Sequence, residues 1–221
     1  MLRPPHFCLL PFAFCLLPSA EGGTVLDRIA VVVGTQVITE TQIDLGIRVT
    51  ALMQDDPLDF SAAAKHKEAE RQIEQKLILK ELEFSRFPRP TMSDVLPRLR
   101  AIIQRRFHDS EDEFRAALKK YGLTEEDFEK HVLWQITFLR FIDFRFRPGI
   151  QVTEAEIEEH FKTQILPLAQ KANPGKPVTL EDYHDRIERV LRGRREDAEL
   201  NTWLKETRAR TRIEYREEVL Q

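Results

Sequence analysis

The segment around which we expect the chain to pack is residues 124–147, TEEDFEKHVLWQITFLRFIDFRFR. Thr124 predicts a helix start, because a threonine side chain can accept a hydrogen bond from the first turn and the acidic residues that follow favour the positive end of the helix dipole. Pro148 and Gly149 predict the helix end. No helix-breaking residue lies between these signals, so the predicted helix has about six turns.

The apolar residues of this helix cover more of its circumference than the stripe of roughly 100° that a one-sided core contact needs. They fall into two stripes and a terminal group: Phe128, Val132, Ile136 and Leu139; Trp134, Phe138 and Phe141; then Ile142, Phe144 and Phe146. Either neighbouring segments bury the helix on several sides, or part of it is exposed and binds an apolar partner. Both interpretations hold if only the end over residues 138–146 is open.

The first 20 residues have the pattern of a secretory signal peptide. Arg3 is the only charged residue before Glu21, and the apolar run Phe7–Leu17 is too short to span a bilayer. We therefore expect an exported protein, with an uncleaved anchor as the alternative. Both cysteines fall in this segment, so the exported chain would have no disulfide and no thiolate site.

The charge balance excludes a polycation that binds nucleic acid. Without residues 1–20 the chain has 33 basic and 37 acidic residues, a net charge of −4. Charged residues at 32% and hydrophobic residues at 42% indicate a soluble, helix-rich globular protein. About 200 residues are enough to bury a core as one domain or two small ones.

Short strands are predicted near both termini. Residues 25–33 are rich in β-branched side chains, and residues 211–216 alternate between polar and apolar. A lone strand leaves its backbone groups unpaired, so we expect residues 28–33 and 212–216 to pair in one sheet. The predicted fold class is therefore mainly α, a multi-helix core with a small β-sheet that pairs the N- and C-terminal strands.

Further helices are predicted from residues that can cap a helix N-terminus. These capping residues are Thr39, Ser61, Ser93, Ser110 and Thr153. Phe84 shares helical spacing with Ile73 and is expected in the core. Prolines and a glycine predict a linker over residues 166–179, and Gly193 is expected to divide the C-terminal helical block in two.

No catalytic, metal or nucleotide motif is found in the sequence. Glu156 and His160 share a helix face, but a lone pair of this kind is expected to be solvated, because metal sites need three or four ligands. Gly175 lacks the upstream glycine of a phosphate-binding loop. We expect no cofactor. The arginines of residues 186–195 are diluted by acidic residues and predict a solvated face, with docking to an acidic partner or a membrane surface as the alternative.

The order of these segments resembles the SurA family of periplasmic chaperones and prolyl isomerases. The similar runs are VLDRIAVVVGTQVITETQIDLGI (25–47), RQIEQKLILKEL (71–82), SDVLPRLRAII (93–103), YGLTEEDFEKHVLWQITFLRF (121–141) and LEDYHDRIERVLRGRREDAELNTWLKETRARTRIEY (180–215). The resemblance covers residues 25–165 and about 180–216. It lies in the order of these diffuse apolar segments rather than in any single motif.

The chain departs from that family where the parvulin-type isomerase domains would lie. Residues 149–179 are all that joins the two similar regions, and 31 residues cannot hold such a domain. The resemblance therefore implies the chaperone module without isomerase activity. The implied organisation is a signal peptide (1–20), an N-terminal helical chaperone domain (21–165), a linker (166–179) and a C-terminal helix and strand (180–221) that pack back on the N-terminal domain.

The resemblance implies an ATP-independent holdase for unfolded polypeptides, in particular outer-membrane protein precursors. An apolar cradle between the N-terminal helices and the C-terminal block would bind them. The candidate client-binding residues are Trp134, Phe138, Phe141, Phe144 and Phe146. No nucleic acid or nucleotide partner is expected. The alternatives are a non-catalytic assembly or dimerisation scaffold that uses the same surface, including a homodimer, and a prolyl isomerase on family grounds alone.

Overall fold

The computed structural model describes residues 27–172, 174–175 and 177–221, so the predicted signal peptide lies outside the described residues. The strands are β1 (Ile29–Val33), β2 (Gln36–Thr39) and β3 (Ile213–Tyr215). The helices are α1 (Glu40–Gln54), α2 (Ala62–Glu83), α3 (Met92–Arg106), α4 (Glu111–Tyr121), α5 (Glu125–Arg145), α6 (Glu154–His160), α7 (Leu166–Ala172), α8 (His184–Ala209) and α9 (Glu217–Leu220). The fold is mainly helical with one small sheet, as the sequence predicts.

The sheet joins the two ends of the described chain. Its strand order is β2-β1-β3, and β1 pairs antiparallel with both neighbours. Val31 lies opposite Ile38 in β2 and opposite Tyr215 in β3. Gly34 closes the β1–β2 turn with φ of 62°, a conformation that glycine adopts without strain. The predicted pairing of the N-terminal and C-terminal strands is confirmed.

Helix α5 contributes to two separate cores. Phe128 and Val132 in its first half pack with α3, α4 and the end of α1. Phe141 in its second half packs with the sheet, α2 and α8. Phe128 and Phe141 are 13 positions apart and therefore point about 140° apart around the helix axis. The wide apolar circumference predicted for this helix follows from burial on different sides along its length.

The C-terminal helical block is not divided at Gly193. Helix α8 is continuous over 26 residues. Tertiary contacts hold this part of the helix: Arg195 bonds to Glu156, and Glu196 accepts a hydrogen bond of 3.0 Å from Arg147 Nε. These contacts to α6 and to the end of α5 compensate for the low intrinsic helix propensity of glycine.

The predicted linker is partly helical. A π-helical turn over Phe161–Ile165 continues α6 into α7, which extends to Ala172, so the first seven residues of the predicted linker 166–179 belong to a helix. This arm of the molecule has a small core of its own, formed by Ile157, Phe161 and Ile187. Pro167, which has no N–H to donate, lies directly after this π-helical turn, where the regular α-helical bonding is already interrupted.

Two further local features differ from the prediction. Helix α3 begins after Thr91 rather than after Ser93, because Asp94 Oδ2 accepts a hydrogen bond of 2.8 Å from the Thr91 backbone N–H. Phe84 is 86% exposed and not part of the core, since α2 ends at Glu83 and the chain turns away.

Candidate functional site

Two of the five candidate aromatic residues are core residues. Phe141 is 1% exposed and Phe146 is 7% exposed. Their rings pack on each other with centroids 5.6 Å apart, and Phe141 also packs on Trp203 of α8 at 5.3 Å. These two side chains hold α5 against the C-terminal block and are not available to a partner in the folded protein.

The other three candidates remain accessible. Trp134 and Phe138 are half-buried against the sheet-side core, with ring centroids 5.9 Å apart. Phe144 is 46% exposed, and its ring packs nearly perpendicular to the Phe87 ring, with the two centroids 5.7 Å apart. Leu139 is 54% exposed although it continues the buried stripe of Phe128, because the neighbouring helices that cover the first half of α5 do not reach it.

The accessible end of α5 lies beside the segment that joins α2 to α3. Three contacts fix this arrangement: Glu81 to Arg145 at 3.9 Å, Phe87 to Phe144, and Asp94 to Arg140. The described residues expose ten large apolar side chains, and five of them belong to this end of α5 or to residues 84–96, the segment that contacts it. We call these five the α5-end surface: Phe84, Met92, Leu96, Leu139 and Phe144.

A shallow groove adjoins this surface. Its volume is about 280 Å³, and it lies between β2, α2, the segment before α3 and α5. The apolar part of its wall includes Leu79, Leu133 and Pro90, and Arg89 stands at its polar side. The groove can therefore take an apolar side chain from a partner that lies on the α5-end surface.

A larger cleft of about 790 Å³ lies between α1, the loop over residues 55–61, α2 and α5, and its wall combines apolar side chains such as Ile47 and Met53 with charged ones. Glu68 is buried there and accepts hydrogen bonds from Arg71 and Gln72 at 2.7–2.8 Å. Burial, together with the nearby positive charge of Arg71, lowers the pKa of His131 to about 4. The neutral imidazole accepts a hydrogen bond of 2.8 Å from Gln135 Nε2. These hydrogen bonds satisfy the buried Glu68 carboxylate and pair the His131 ring with its own helix.

The predicted cradle between the N-terminal helices and the C-terminal block is a groove of about 380 Å³ between α5 and α8. Phe146, Ile150 and Trp203 contribute its apolar part, and Arg145, Glu199 and Glu206 line the rest. Since Phe146 and Trp203 are buried by each other, the groove presents little apolar surface. The accessible candidates Trp134, Phe138 and Phe144 do not line this groove.

The residues considered for other chemistry have structural partners. Backbone and side-chain hydrogen bonds from Thr153, together with a bond from Arg195, lower the pKa of Glu156 to about 2. This carboxylate is the N3 member of the capping box at the start of α6, whose N-cap is Thr153. Within the described part of the chain, no group of three histidine, cysteine or acidic residues is arranged to hold a metal ion. No described helix is both long enough and apolar enough to cross a bilayer.

The residues of the α5-end surface that lie before α5 were not found from the sequence. No role was predicted for Met92 or Leu96, and Phe84 was expected in the core. The available signal was charge: residues 84–106 contain six arginines and one aspartate, the most basic stretch of the chain. Interaction surfaces often combine apolar side chains with arginines, although the same stretch also contributes Val95, Ile102 and Ile103 to the core.

No protein-family model matches this chain, and no curated protein does.

Proposed function

We propose that this protein is an ATP-independent periplasmic chaperone of the SurA type, which holds unfolded polypeptides on the α5-end surface. The observation that carries the proposal is that five of the exposed large apolar side chains of a highly charged chain belong to the end of α5 and to the segment that contacts it: Phe84, Met92, Leu96, Leu139 and Phe144. Singly exposed apolar side chains are common, but a gathered set marks an interaction surface. The resemblance of the chain to that family supplies the class of partner, with outer-membrane protein precursors as the clients.

The binding mode follows from the kind of surface. Each apolar side chain of a client that becomes fully buried contributes about 1.5–3 kcal/mol, and ordering of the flexible chain offsets much of that gain. The surface is not enclosed, so individual contacts are weak and exchange quickly. A client can therefore be held without aggregating and released without an energy source.

No catalytic step is part of this proposal. Residues 149–179, where the isomerase domains of the family would lie, are too few to form one. Proline isomerisation in a client is therefore expected to proceed at its uncatalysed rate, over tens of seconds or longer. A protease-coupled isomerisation assay checks this point.

The experiment compares two sets of substitutions with equal chemistry. The test variant combines Phe84→Ser, Leu139→Ser and Phe144→Ser. The control combines Leu168→Ser and Val190→Ser, which remove exposed apolar side chains from the arm formed by α6, α7 and the start of α8. Suppression of aggregation of an unfolded outer-membrane β-barrel protein is measured for both.

The test variant is expected to lose at least about tenfold in affinity for the unfolded protein, which corresponds to about 1.4 kcal/mol, and the control variant is expected to bind like the natural chain. Equal behaviour of both variants would contradict the proposal. Light scattering decides the scaffold alternative, since a scaffold predicts a stable dimer that the test variant dissociates. A stable dimer with no effect on aggregation would replace the chaperone interpretation.

A further inference from the structure

Positive charge is concentrated in the segment that contributes to the α5-end surface. Residues 84–106 contain six arginines and one aspartate, a net charge of +5, while the whole chain carries −3, so the remaining residues carry −8. Asp94, the one acidic residue of this stretch, is already paired with Arg140. This end of the molecule is therefore positive against a negative remainder.

Four of these arginines have free guanidinium groups. Arg86, Arg89, Arg98 and Arg100 are exposed, and none of them forms an ion pair or a side-chain hydrogen bond with the residues that the structure describes. The other two of the six are engaged: Arg105 donates to a carbonyl of its own helix, and Arg106 donates to the end of α1. Among the acidic residues nearby, Glu81 pairs with Arg145 and Asp143 with Arg147, which leaves Glu83.

The free arginines alternate with the apolar side chains. Met92, Leu96 and Arg100 follow each other at intervals of four along α3 and therefore lie on one stripe of the helix. Arg86 follows Phe84 by two residues, and Arg89 lies at the groove beside Pro90. A partner that buries these apolar side chains therefore brings its own polar groups next to guanidinium groups, which pair best with carboxylates.

The shape of the surface favours an extended polypeptide over a membrane. Leu139 and Phe144 are five positions apart on α5, so their side chains point about 140° apart around its axis. A flat bilayer surface can meet only one of these two flanks. An extended chain, which advances about 3.3 Å per residue, can pass from one flank to the other.

We infer that the α5-end surface selects polypeptide segments in which carboxylates alternate with aromatic or aliphatic side chains. This inference rests on the proposed function and names the client class for the same site. Arg86, Arg89, Arg98 and Arg100 determine the preference for acidic segments, while Phe84, Leu139 and Phe144 provide the apolar contact.

The test measures binding of fluorescent peptides to the full chain. One peptide alternates phenylalanine and leucine with aspartate and serine, and the second has lysine at each aspartate position. The acidic peptide is expected to bind about tenfold more tightly at low salt, and the difference is expected to shrink as salt screens the charges. The variant Arg86→Gln, Arg89→Gln, Arg98→Gln, Arg100→Gln is expected to lose the preference, because it lacks the four positive charges. It is expected to remain folded, because these side chains are exposed.

The control for position is Arg186→Gln with Arg194→Gln, two exposed arginines of α8, compared with the pair Arg98→Gln and Arg100→Gln; the α8 pair should leave the preference unchanged. Equal affinity for both peptides, or equal effects of the two arginine pairs, overturns the inference. The proposed function is tested separately, by the variant that combines Phe84→Ser, Leu139→Ser and Phe144→Ser. Vesicles containing an anionic phospholipid are assayed in parallel. Binding to vesicles that depends on the four arginines, without binding to the acidic peptide, assigns the surface to a membrane and also overturns the inference.

Discussion

Gly46 allows the buried carboxylate of Glu68 to lie directly against helix α1. A Cβ at position 46 would overlap that carboxylate and would lie 2.9 Å from Gln72 Nε2, and Glu68 cannot move away without leaving Arg71. We expect Gly46→Ala to destabilise the protein by about 1–3 kcal/mol, as overpacking of a filled interior does. Chemical denaturation measures the change.

Gly193 provides the control for this prediction. It also lies within a helix, but a Cβ added there meets no atom within 4 Å. Gly193→Ala should therefore stabilise the protein by about 0.5–1 kcal/mol, the ordinary helix preference of alanine over glycine. The same sign for both variants would show that contact with Glu68 is not what constrains position 46.

The histidines predict a specific dependence of stability on pH. The pKa of His131 is about 4 in the folded protein, below its ordinary value of 6.5, so the native state binds fewer protons than the unfolded state between these values. The free energy of unfolding should therefore fall by about 2 kcal/mol as the pH decreases from 6.5 towards 4. His131→Gln should remove this part of the slope in denaturation series at several pH values.

His184 should act in the opposite direction. Hydrogen bonds to Glu154 and Asp185 raise its pKa in the folded protein. Its contribution to the free energy of unfolding is therefore fully present below the ordinary histidine pKa, and it is lost as the pH rises through the pKa of the folded state. His184→Gln should lower stability mainly at acidic pH.

For His131, the contradicting result concerns the variant His131→Gln. If its free energy of unfolding still falls as steeply between pH 6.5 and 4 as that of the natural chain, the burial assigned to this imidazole is wrong.

Helix α5 shows what its amphipathic pattern can predict and what it cannot. The N-terminal cap at Thr124 depends on a few neighbouring residues, and it is found as predicted. Which side of the helix is covered at each point depends on where other helices end. That is why Leu139 is exposed although its spacing matches Phe128, and why Phe141 is buried although its spacing also fitted an exposed surface.

Phe141 and Leu139 test this assignment of sides. Phe141→Ala removes a ring that packs on Phe146 and Trp203, and should destabilise the protein by about 3–5 kcal/mol. Leu139→Ala, on the exposed side, should change stability by less than about 0.5 kcal/mol. Similar effects of the two substitutions in thermal denaturation would contradict the described packing of α5.

The structure at Gly193 and in the segment before α3 likewise depends on contacts with distant parts of the chain, which neighbouring residues do not reveal. A glycine within a charged run is a reasonable helix boundary when only neighbouring residues are considered, but contacts from Arg147 and Glu156 keep α8 continuous. The accessible surface at the α5 end depends on long-range contacts such as Phe87 to Phe144. Periodicity along one segment contains no information about such contacts.

At the scale of the whole molecule, the C-terminal residues close the fold. Strand β3 pairs with β1, and α9 buries Val219 and Leu220 in the core on the sheet side. Arg208 Nη2 donates a hydrogen bond of 2.6 Å to the Tyr215 hydroxyl, which also bonds to Glu70 of α2. One short segment therefore holds the sheet, α2 and α8 together.

Deletion of residues 211–221 should lower the melting temperature sharply. Loss of the two buried side chains of α9 alone corresponds to about 4 kcal/mol, or a decrease of roughly 10 °C for a chain of this size. The control is Arg212→Gln in the full chain, which removes an exposed charge and leaves the strand pairing in place. An unchanged melting temperature of the shortened chain would refute the closing role of β3 and α9.

Site-specific photo-crosslinking tests the central claim, that unfolded polypeptides bind at the α5 end, most directly. A photoreactive phenylalanine analogue replaces Phe144 in one sample and Leu168 in another, and each is illuminated with a labelled unfolded outer-membrane protein. Leu168 is the more exposed of the two, at 68% against 46%, so accessibility alone favours position 168. The chaperone account predicts strong crosslinking at position 144 and little at position 168. Equal crosslinking at both positions, or crosslinking only at 168, would contradict it.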